Sequence, residues 1–257
     1  SGYDDVDLRN FGGQKKKRTA FAQSDTGQQI MTAMIDAVRR KEASGMVERF
    51  SHHSFLTLRL CGSVCCGCVI RDEYSQEIVE LPGDAVIVAS GGMHGLFGNT
   101  TGSLSNTGEV TAELFRLGVP LANGEMIQYH PTTVKCGGKR MLISEAARGE
   151  GGRLFAMKDG KQWYFMEEKY PELGNLMPRD ITAREIWKVS HESEVFLDMT
   201  EISEEIISNK LSGLADDCMT YLHKDIRKEP VSVLPGIHYF MGGILVDEQH
   251  RTPIQNL

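Results

Sequence analysis

Apolar residues recur along the chain with two different periods, and the change of period separates helical from strand-like stretches. Between residues 26 and 42 they fall three or four positions apart, which predicts an amphipathic helix. We expect Ile30, Met34 and Val38 on this helix to pack in the core. From residue 50 to 89 the shorter period of strands takes over. It predicts strands at 55–60, 64–70, 78–81 and 85–89.

The strand at 85–89 is apolar throughout, so we expect it to be buried on both faces of a sheet. A helix with Val110, Leu114 and Leu117 on its inner face should follow and end at Gly118. From residue 126 to about 235 the pattern is mixed. It predicts strands at 153–156, 162–165 and 195–197 and helices at 180–189 and 204–223.

Size and charge exclude several classes of protein. The chain has 257 residues, of which 40% are hydrophobic, so it can form a substantial core. Its net charge of −7 offers no general attraction for nucleic acid, and it repels anionic substrates over the whole surface. No apolar run approaches the roughly 18–20 residues of a membrane span. Any small anion must therefore be held by local cationic groups.

Four of the six cysteines, Cys61, Cys65, Cys66 and Cys68, lie close together in the sequence. A metal site is one interpretation, but the spacing is not that of two CxxC pairs. A strand over 64–70 also directs Cys65 and Cys66 to opposite faces. We therefore expect no metal, and reduced thiols in a sheet, as in a cytosolic protein.

Chemistry-bearing residues concentrate in the segment 142–152, LISEAARGEGG. Glu145 and Arg148 stand three positions apart, which brings them within ion-pair distance on one helical turn. Arg179 follows a proline and precedes a helix-compatible run, where free backbone N–H groups attract anions. A guanidinium group matches the shape of a carboxylate. The pattern predicts a site for a small dianion, with an arginine–glutamate pair able to pass protons.

Four motifs follow one another in the order HPT at 130–132, SEAARGEGG at 144–152, PRD at 178–180 and HYFMGG at 238–243, after VIVASGG at 86–92. In this order and at these intervals they resemble the flavoprotein subunit of fumarate reductase and succinate dehydrogenase. The resemblance runs from about Asn10, in RNFGG, to Leu257. It therefore covers nearly the whole chain.

The resemblance implies a combined α/β and α+β architecture. Residues 1–125 would be part of an FAD-binding domain with a β-meander, 126–236 an inserted α+β capping domain, and 237–257 a return to the FAD-binding domain. No GxGxxG loop, which holds the pyrophosphate of FAD in this family, occurs in the sequence. We therefore expect an internal fragment of a protein about twice as long. FAD would be the cofactor of the full-length protein, absent from this chain alone.

The resemblance also implies roles for individual residues. Arg179 matches the proton donor to the substrate, and Arg148 and Glu145 match its proton relay. Ser144, His130 and His238 match the residues that hold the substrate carboxylates. Contacts to FAD are implied for Gly91, Gly92, Glu109, Ser54 and Tyr239.

Simpler roles remain open for several of these residues. The Ser90-Gly91-Gly92 turn could just end a strand, and Ser54 could serve packing. Glu109 stands where the family has aspartate. Glu145 and Arg148 could form a purely structural ion pair. Arginine has a pKa above about 12 and normally keeps its proton, so Arg179 could act only by stabilising charge.

Three functions are compatible with these patterns. The first is a fragment of an FAD-dependent enzyme that interconverts fumarate and succinate. The second is an L-aspartate oxidase, a relative with a similar SEA-RGEG segment. The third is a catalytically inactive, cofactor-free domain. For the first, the resemblance implies a dicarboxylate substrate and an iron–sulfur subunit or another electron carrier. We expect a cytoplasmic location, with any membrane association through partner subunits.

Overall fold

A computed structural model describes residues 8–9, 16–22 and 26–257 of the chain. The RNFGG segment from Asn10 onward lies outside the described residues. The helices are α1 (Thr26–Ala43), α2 (Glu109–Arg116), α3 (Glu145–Gly149), α4 (Phe165–Lys169), α5 (Arg179–Val189), α6 (Glu204–Lys210) and α7 (Ser212–Asp217). Short 3₁₀ turns occupy His94–Leu96 and Gly174–Leu176, and a π turn occupies Cys218–Leu222.

The strands are β1 (Leu8–Arg9), β2 (Thr19–Ala20), β3 (His53–Cys61), β4 (Val64–Asp72), β5 (Ile78–Pro82), β6 (Leu121–Ala122), β7 (Ile127–Cys136), β8 (Lys139–Leu142), β9 (Arg153–Lys158), β10 (Lys161–Trp163), β11 (Val195–Asp198), β12 (Val231–Ser232), β13 (Leu234–Phe240) and β14 (Gly243–Ile244). They form sheets in the orders β1-β2, β10-β9-β11-β12, β13-β7-β8, β14-β6 and β3-β4-β5. The fold is therefore mixed α/β with antiparallel sheets.

The chain divides into two compact units. Unit 1 contains the described residues up to Arg40 together with Tyr129–Gly236, and unit 2 contains Lys41–Gln128 and Ile237–Leu257. The assignment of residues 126–236 to a capping domain, and the other domain boundaries, stay predictions.

The core of unit 1 lies around the β10-β9-β11-β12 sheet. Leu154 of β9 and Leu197 of β11 are fully buried, together with Phe165 of α4 and Ile186 of α5. Buried and half-buried side chains alternate along β11, which matches a sheet with one face covered more completely than the other. This packing holds α3 and α5, which carry the candidate catalytic residues, against the same hydrophobic core.

Unit 2 is built on the β3-β4-β5 meander, and the strands predicted at 55–60, 64–70 and 78–81 are confirmed. Leu58, Cys65 and Leu114 of α2 form its core. Helix α2 ends before Gly118, whose φ of 93° suits the predicted stop. The expectation of reduced thiols is wrong for Cys61 and Cys66, which are disulfide-bonded across the β3–β4 turn, and right for Cys65 and Cys68.

Three further expectations are wrong. Residues 85–89 form no strand in the described part of the chain, and Ile87 is 91% exposed, because an apolar segment becomes a buried strand only when neighbouring strands pair with it. Helix α1 forms as predicted, but none of its side chains is buried. The helix predicted at 204–223 is interrupted at Leu211. This residue is followed by Ser212 and Gly213, which are both weak helix formers.

The described residues contain neither a membrane-spanning helix nor a cluster of metal ligands. No helix among them is long and apolar enough to cross a membrane. In the same part of the chain, no group of three or more His, Cys, Asp or Glu side chains is placed to hold a metal ion.

Candidate active site

Helix α3 starts directly beside the HPT motif of β7. Ser144 caps the helix by accepting a hydrogen bond from the Ala146 N–H at 3.2 Å, the usual role of serine at this position. The Ile143 N–H donates to the Thr132 carbonyl at 3.0 Å, and the Thr132 hydroxyl donates back to the Ile143 carbonyl at 2.9 Å. Two motifs far apart in the sequence are thereby joined.

The carboxylate of Glu145 lies between two guanidinium groups. Oε1 accepts a hydrogen bond from Nη2 of Arg148 at 3.3 Å. Oε2 accepts from Nη2 of Arg179 at 3.1 Å and from Nε of the same arginine at 3.3 Å. Each carboxylate oxygen therefore serves one arginine, so a proton can pass between the two guanidinium groups through a single acid.

The three linked side chains differ sharply in burial. The side chain of Arg148 is fully buried and that of Glu145 is 7% exposed, whereas that of Arg179 is 31% exposed. Burial lowers the pKa of Arg148, the Glu145 charge partly opposes this, and the charge of Arg179 lowers the pKa further. A guanidinium with a lowered pKa releases its proton more readily.

Arg148 is also held by the turn that precedes α5. Its Nη1 donates to the Asn175 carbonyl at 2.6 Å, while its buried Nε has no hydrogen-bond partner. A buried polar atom without a hydrogen-bond partner lowers the free energy of unfolding. The hydrogen bonds of Arg148 to Glu145 and to the Asn175 carbonyl offset only part of this cost.

Arg179 owes its position to the first turn of α5. Pro178 precedes the helix, and its carbonyl accepts the Thr182 N–H at 3.0 Å. The buried Thr182 hydroxyl donates to the Met177 carbonyl at 3.0 Å. These bonds fix the helix start, as the proline in PRD predicts, and direct the guanidinium onto Glu145.

Asn175 is a site residue that the sequence patterns do not reveal. Its Oδ1 accepts the Leu154 N–H at 3.0 Å, and its Nδ2 donates to Glu167 at 3.0 Å. These bonds fix the main-chain carbonyl that receives Arg148. No local sequence signal marks an asparagine in a short 3₁₀ turn as a support for an arginine 27 positions earlier.

The predicted carboxylate-binding residues fall in both units. Ser144 and His130 belong to unit 1 with the arginines, and His130 is 1% exposed, with Nδ1 3.2 Å from the Thr132 carbonyl. His238 belongs to unit 2, where its Nδ1 lies 2.7 Å from the Thr101 hydroxyl. The cap bond of Ser144 uses the hydroxyl oxygen as an acceptor, so its proton remains available for a carboxylate.

Three of the predicted FAD contacts, Gly91, Gly92 and Tyr239, belong to unit 2. Gly91 has a φ of 76°, which favours glycine. A methyl group at Gly92 would come within 2.9 Å of Cδ2 of Phe240, so the turn lies against the end of β13. The neighbouring Tyr239 is 57% exposed. A close-packed glycine turn is the kind of backbone that a nucleotide could approach closely.

Ser54 and Glu109 are the remaining two predicted FAD contacts. The Ser54 hydroxyl bonds the carboxylate of Glu73 and, as the main cause, lowers the pKa of Glu73. Glu109 is exposed in the first turn of α2, after Gly108 with a φ of 79°. A separate cavity of about 880 Å³, lined by segments that include 85–88 and 250–257, touches none of the predicted site residues.

Comparisons with known proteins agree with the motifs. The family model described as FAD binding domain matches residues 2–257. The chain is 41% identical to the succinate dehydrogenase flavoprotein subunit of Bacillus subtilis, covering 98% of this chain and 44% of that protein. It is 33% identical to L-aspartate oxidase 1 of Ralstonia nicotianae, covering 97% and 47%.

A solved structure of quinol–fumarate reductase with menaquinol molecules matches the fold. The TM-score is 0.87 at 28% sequence identity, over 98% of this chain and 46% of the matched chain. The chain thus spans about half the length of the curated relatives it matches.

Proposed function

Because this chain belongs to the FAD binding domain family and, within it, to the succinate dehydrogenase and fumarate reductase flavoproteins, we propose that the flavoprotein to which it contributes interconverts fumarate and succinate. The observation that carries the proposal is the Glu145 carboxylate shared by Arg148 and Arg179. Reduction of an alkene needs a proton for one carbon, and this arrangement can supply one.

Arg179 is the proton donor. Its partial exposure gives it access to a ligand, while its two bonds to Glu145 provide a route by which the proton is replaced. Arginine normally keeps its proton because its pKa exceeds about 12. The accepting carbon of the reduced substrate is, however, a very strong base, and Glu145 with Arg148 returns the proton at once.

Arg179 also stabilises the negative charge that develops on the substrate. Preorganised donors of this kind contribute about 3–4 kcal/mol to transition-state stabilisation. The helix start at Pro178 and the bonds of Thr182 keep the guanidinium in place, so little reorganisation is needed during the reaction.

FAD, the cofactor of this family, supplies hydride when bound. The backbone of Gly91 and Gly92, the exposed ring of Tyr239, and the polar groups of Ser54 and Glu109 are the residues of this chain that would hold it. Ser144, His130 and His238 hold the two substrate carboxylates. We place residues 126–236 as a capping domain that excludes water from the substrate.

The direct experiment uses the full-length flavoprotein. Purified protein should oxidise a reduced dye when fumarate is added and should reduce a dye when succinate is added. L-aspartate oxidation is the second candidate, favoured by the 33% identity to an aspartate oxidase. Turnover of L-aspartate with none of fumarate or succinate would decide for that second candidate.

The isolated 257-residue chain should be inactive and should lack the visible absorption of oxidised flavin. A flavin spectrum in the purified chain would overturn this expectation.

The electron partner is an iron–sulfur subunit or another carrier, and a partner subunit of that kind would bring the otherwise cytoplasmic protein to a membrane.

A further inference from the structure

The segment after the 3₁₀ turn His94–Leu96 runs beside the part of β13 that belongs to unit 2, which starts at Ile237. The Ile237 N–H donates to the Asn99 carbonyl at 2.8 Å, and the Thr101 N–H donates to the Ile237 carbonyl at 2.9 Å. These backbone bonds form a short parallel bridge at Thr100 and Ile237. These backbone bonds alone place Thr101 next to His238, and the Thr101 side chain takes no part in them.

The Thr101 hydroxyl has two neighbours that could accept its proton. Nδ1 of His238 lies 2.7 Å away, within the usual range for such a bond. The Ile237 carbonyl lies 3.5 Å away, beyond the usual O–H···O range, and already accepts the Thr101 N–H. A hydroxyl has one proton to donate, so the histidine nitrogen is the better acceptor.

The direction of this bond determines the tautomer of the imidazole. A neutral imidazole carries its proton on one nitrogen only. If Nδ1 accepts a hydrogen bond from Thr101, the proton resides on Nε2, and the ring presents an N–H donor there. The opposite tautomer would present a lone pair, which repels a carboxylate.

We propose that Thr101 is a positioning residue, whose hydroxyl holds His238 in the Nε2–H tautomer that donates to a substrate carboxylate. This inference rests on the assignment of His238 as a carboxylate-binding residue in the proposed function. It extends the site to a threonine outside the four motifs. The effect reaches the substrate only through His238.

The binding experiment uses the full-length flavoprotein with FAD bound. Thr101→Val keeps the shape of the side chain and removes the hydroxyl, whereas Thr101→Ser keeps the hydroxyl. The dissociation constant of malonate, a dicarboxylate probe, is measured by titration of the flavin spectrum. Loss of one ordered donor to a charged group should weaken binding in the valine variant on the order of 10- to 100-fold. The serine variant should stay within about threefold of the wild type.

The steady-state constants give a second readout. A bond made to the substrate before and during the reaction changes KM more than kcat, so KM for fumarate should rise in Thr101→Val while flavin content and kcat change little. Equal malonate affinity in the valine variant and the wild type, or equal weakening in the serine variant, would overturn the proposal.

The tautomer itself is measured on protein labelled with ¹⁵N histidine, with the His238 signals assigned from a His238→Gln variant. The wild type should show a protonated Nε2 and an unprotonated Nδ1, and Thr101→Val should shift towards a mixture. A protonated Nδ1 in the wild type would refute the proposal. If the tautomer is as expected but neither malonate nor fumarate binds, the hydrogen bond stands and the proposed function fails.

Discussion

Oε2 of Glu145 lies 3.1 Å from Nη2 of Arg179, although the two residues are 34 positions apart in the chain. The same carboxylate bonds Arg148 through its other oxygen. One acid thereby links a fully buried guanidinium to one that is partly exposed. This connection is the geometric basis of the proton path that we propose between Arg148 and Arg179.

Replacement of Arg179 by lysine should abolish most turnover of the full-length flavoprotein while FAD stays bound. Lysine keeps the charge but cannot make the paired bonds of a guanidinium to Glu145. We expect a fall in kcat of at least about 100-fold, the lower end of a typical general-acid contribution. The exposed Arg184→Lys on the same helix is the matched control. Near-normal rates in Arg179→Lys would refute the role given to this residue.

Replacement of Asn175 by alanine should lower both stability and turnover. The change leaves the buried Leu154 N–H without its acceptor and frees the turn whose carbonyl receives Arg148. An unsatisfied buried donor costs about 1–3 kcal/mol. Thermal unfolding and kcat measure the two effects. The control is Asn209→Ala, at an exposed position of α6, which should change neither the unfolding temperature nor kcat by much. If the Asn175 variant matches this control in both measurements, the turn is held in another way.

Replacement of Gly242 by alanine should destabilise unit 2. A Cβ atom at Gly242 would lie 1.9 Å from the carbonyl oxygen of Asn123, so one of two backbone segments must move. Overpacking typically costs about 1–3 kcal/mol, and a backbone collision belongs at the upper end. Gly138→Ala, where no atom lies within 4 Å of the added methyl group, is the control. Equal unfolding temperatures for the two variants would contradict the packing seen at Gly242.

The ion pair between Arg153 and Glu167 predicts a dependence of stability on pH. The Arg153 hydrogen bonds, at 2.7 and 2.8 Å, are the main cause that lowers the pKa of Glu167 below its ordinary value of 4.5. The unfolded state therefore binds the proton more readily, so the stabilisation is complete above about pH 5 and is lost as the pH falls through the folded-state pKa.

The test for this pair compares the free energy of unfolding of Glu167→Gln with that of the wild type between pH 7 and pH 3. Since the Glu167 side chain is 37% exposed, screening limits the difference at pH 7 to about 1 kcal/mol or less. The difference should shrink towards the acid end. A gap that widens as the pH falls would contradict the assigned direction.

Patterns within short stretches predicted much of the fold. Alternating residues correctly predicted β3, β4 and β5, and the three-residue spacing of Glu145 and Arg148 correctly predicted their contact. The same reasoning failed at 85–89, where apolar composition alone does not form a strand without paired neighbours. It also missed the Cys61–Cys66 bond, because a strand pattern says nothing about which thiols meet across a turn.

The sequence by itself determined the family, through four motifs in order, and the contacts within a single helical turn, because helix geometry places residues three positions apart side by side. Only the tertiary structure decided that Arg179 reaches Glu145, that Asn175 supports Arg148 and that Thr101 bonds His238. These pairs lie 27 to 137 positions apart. Their meeting depends on how strands and helices pack, and local periodicity carries no information about that.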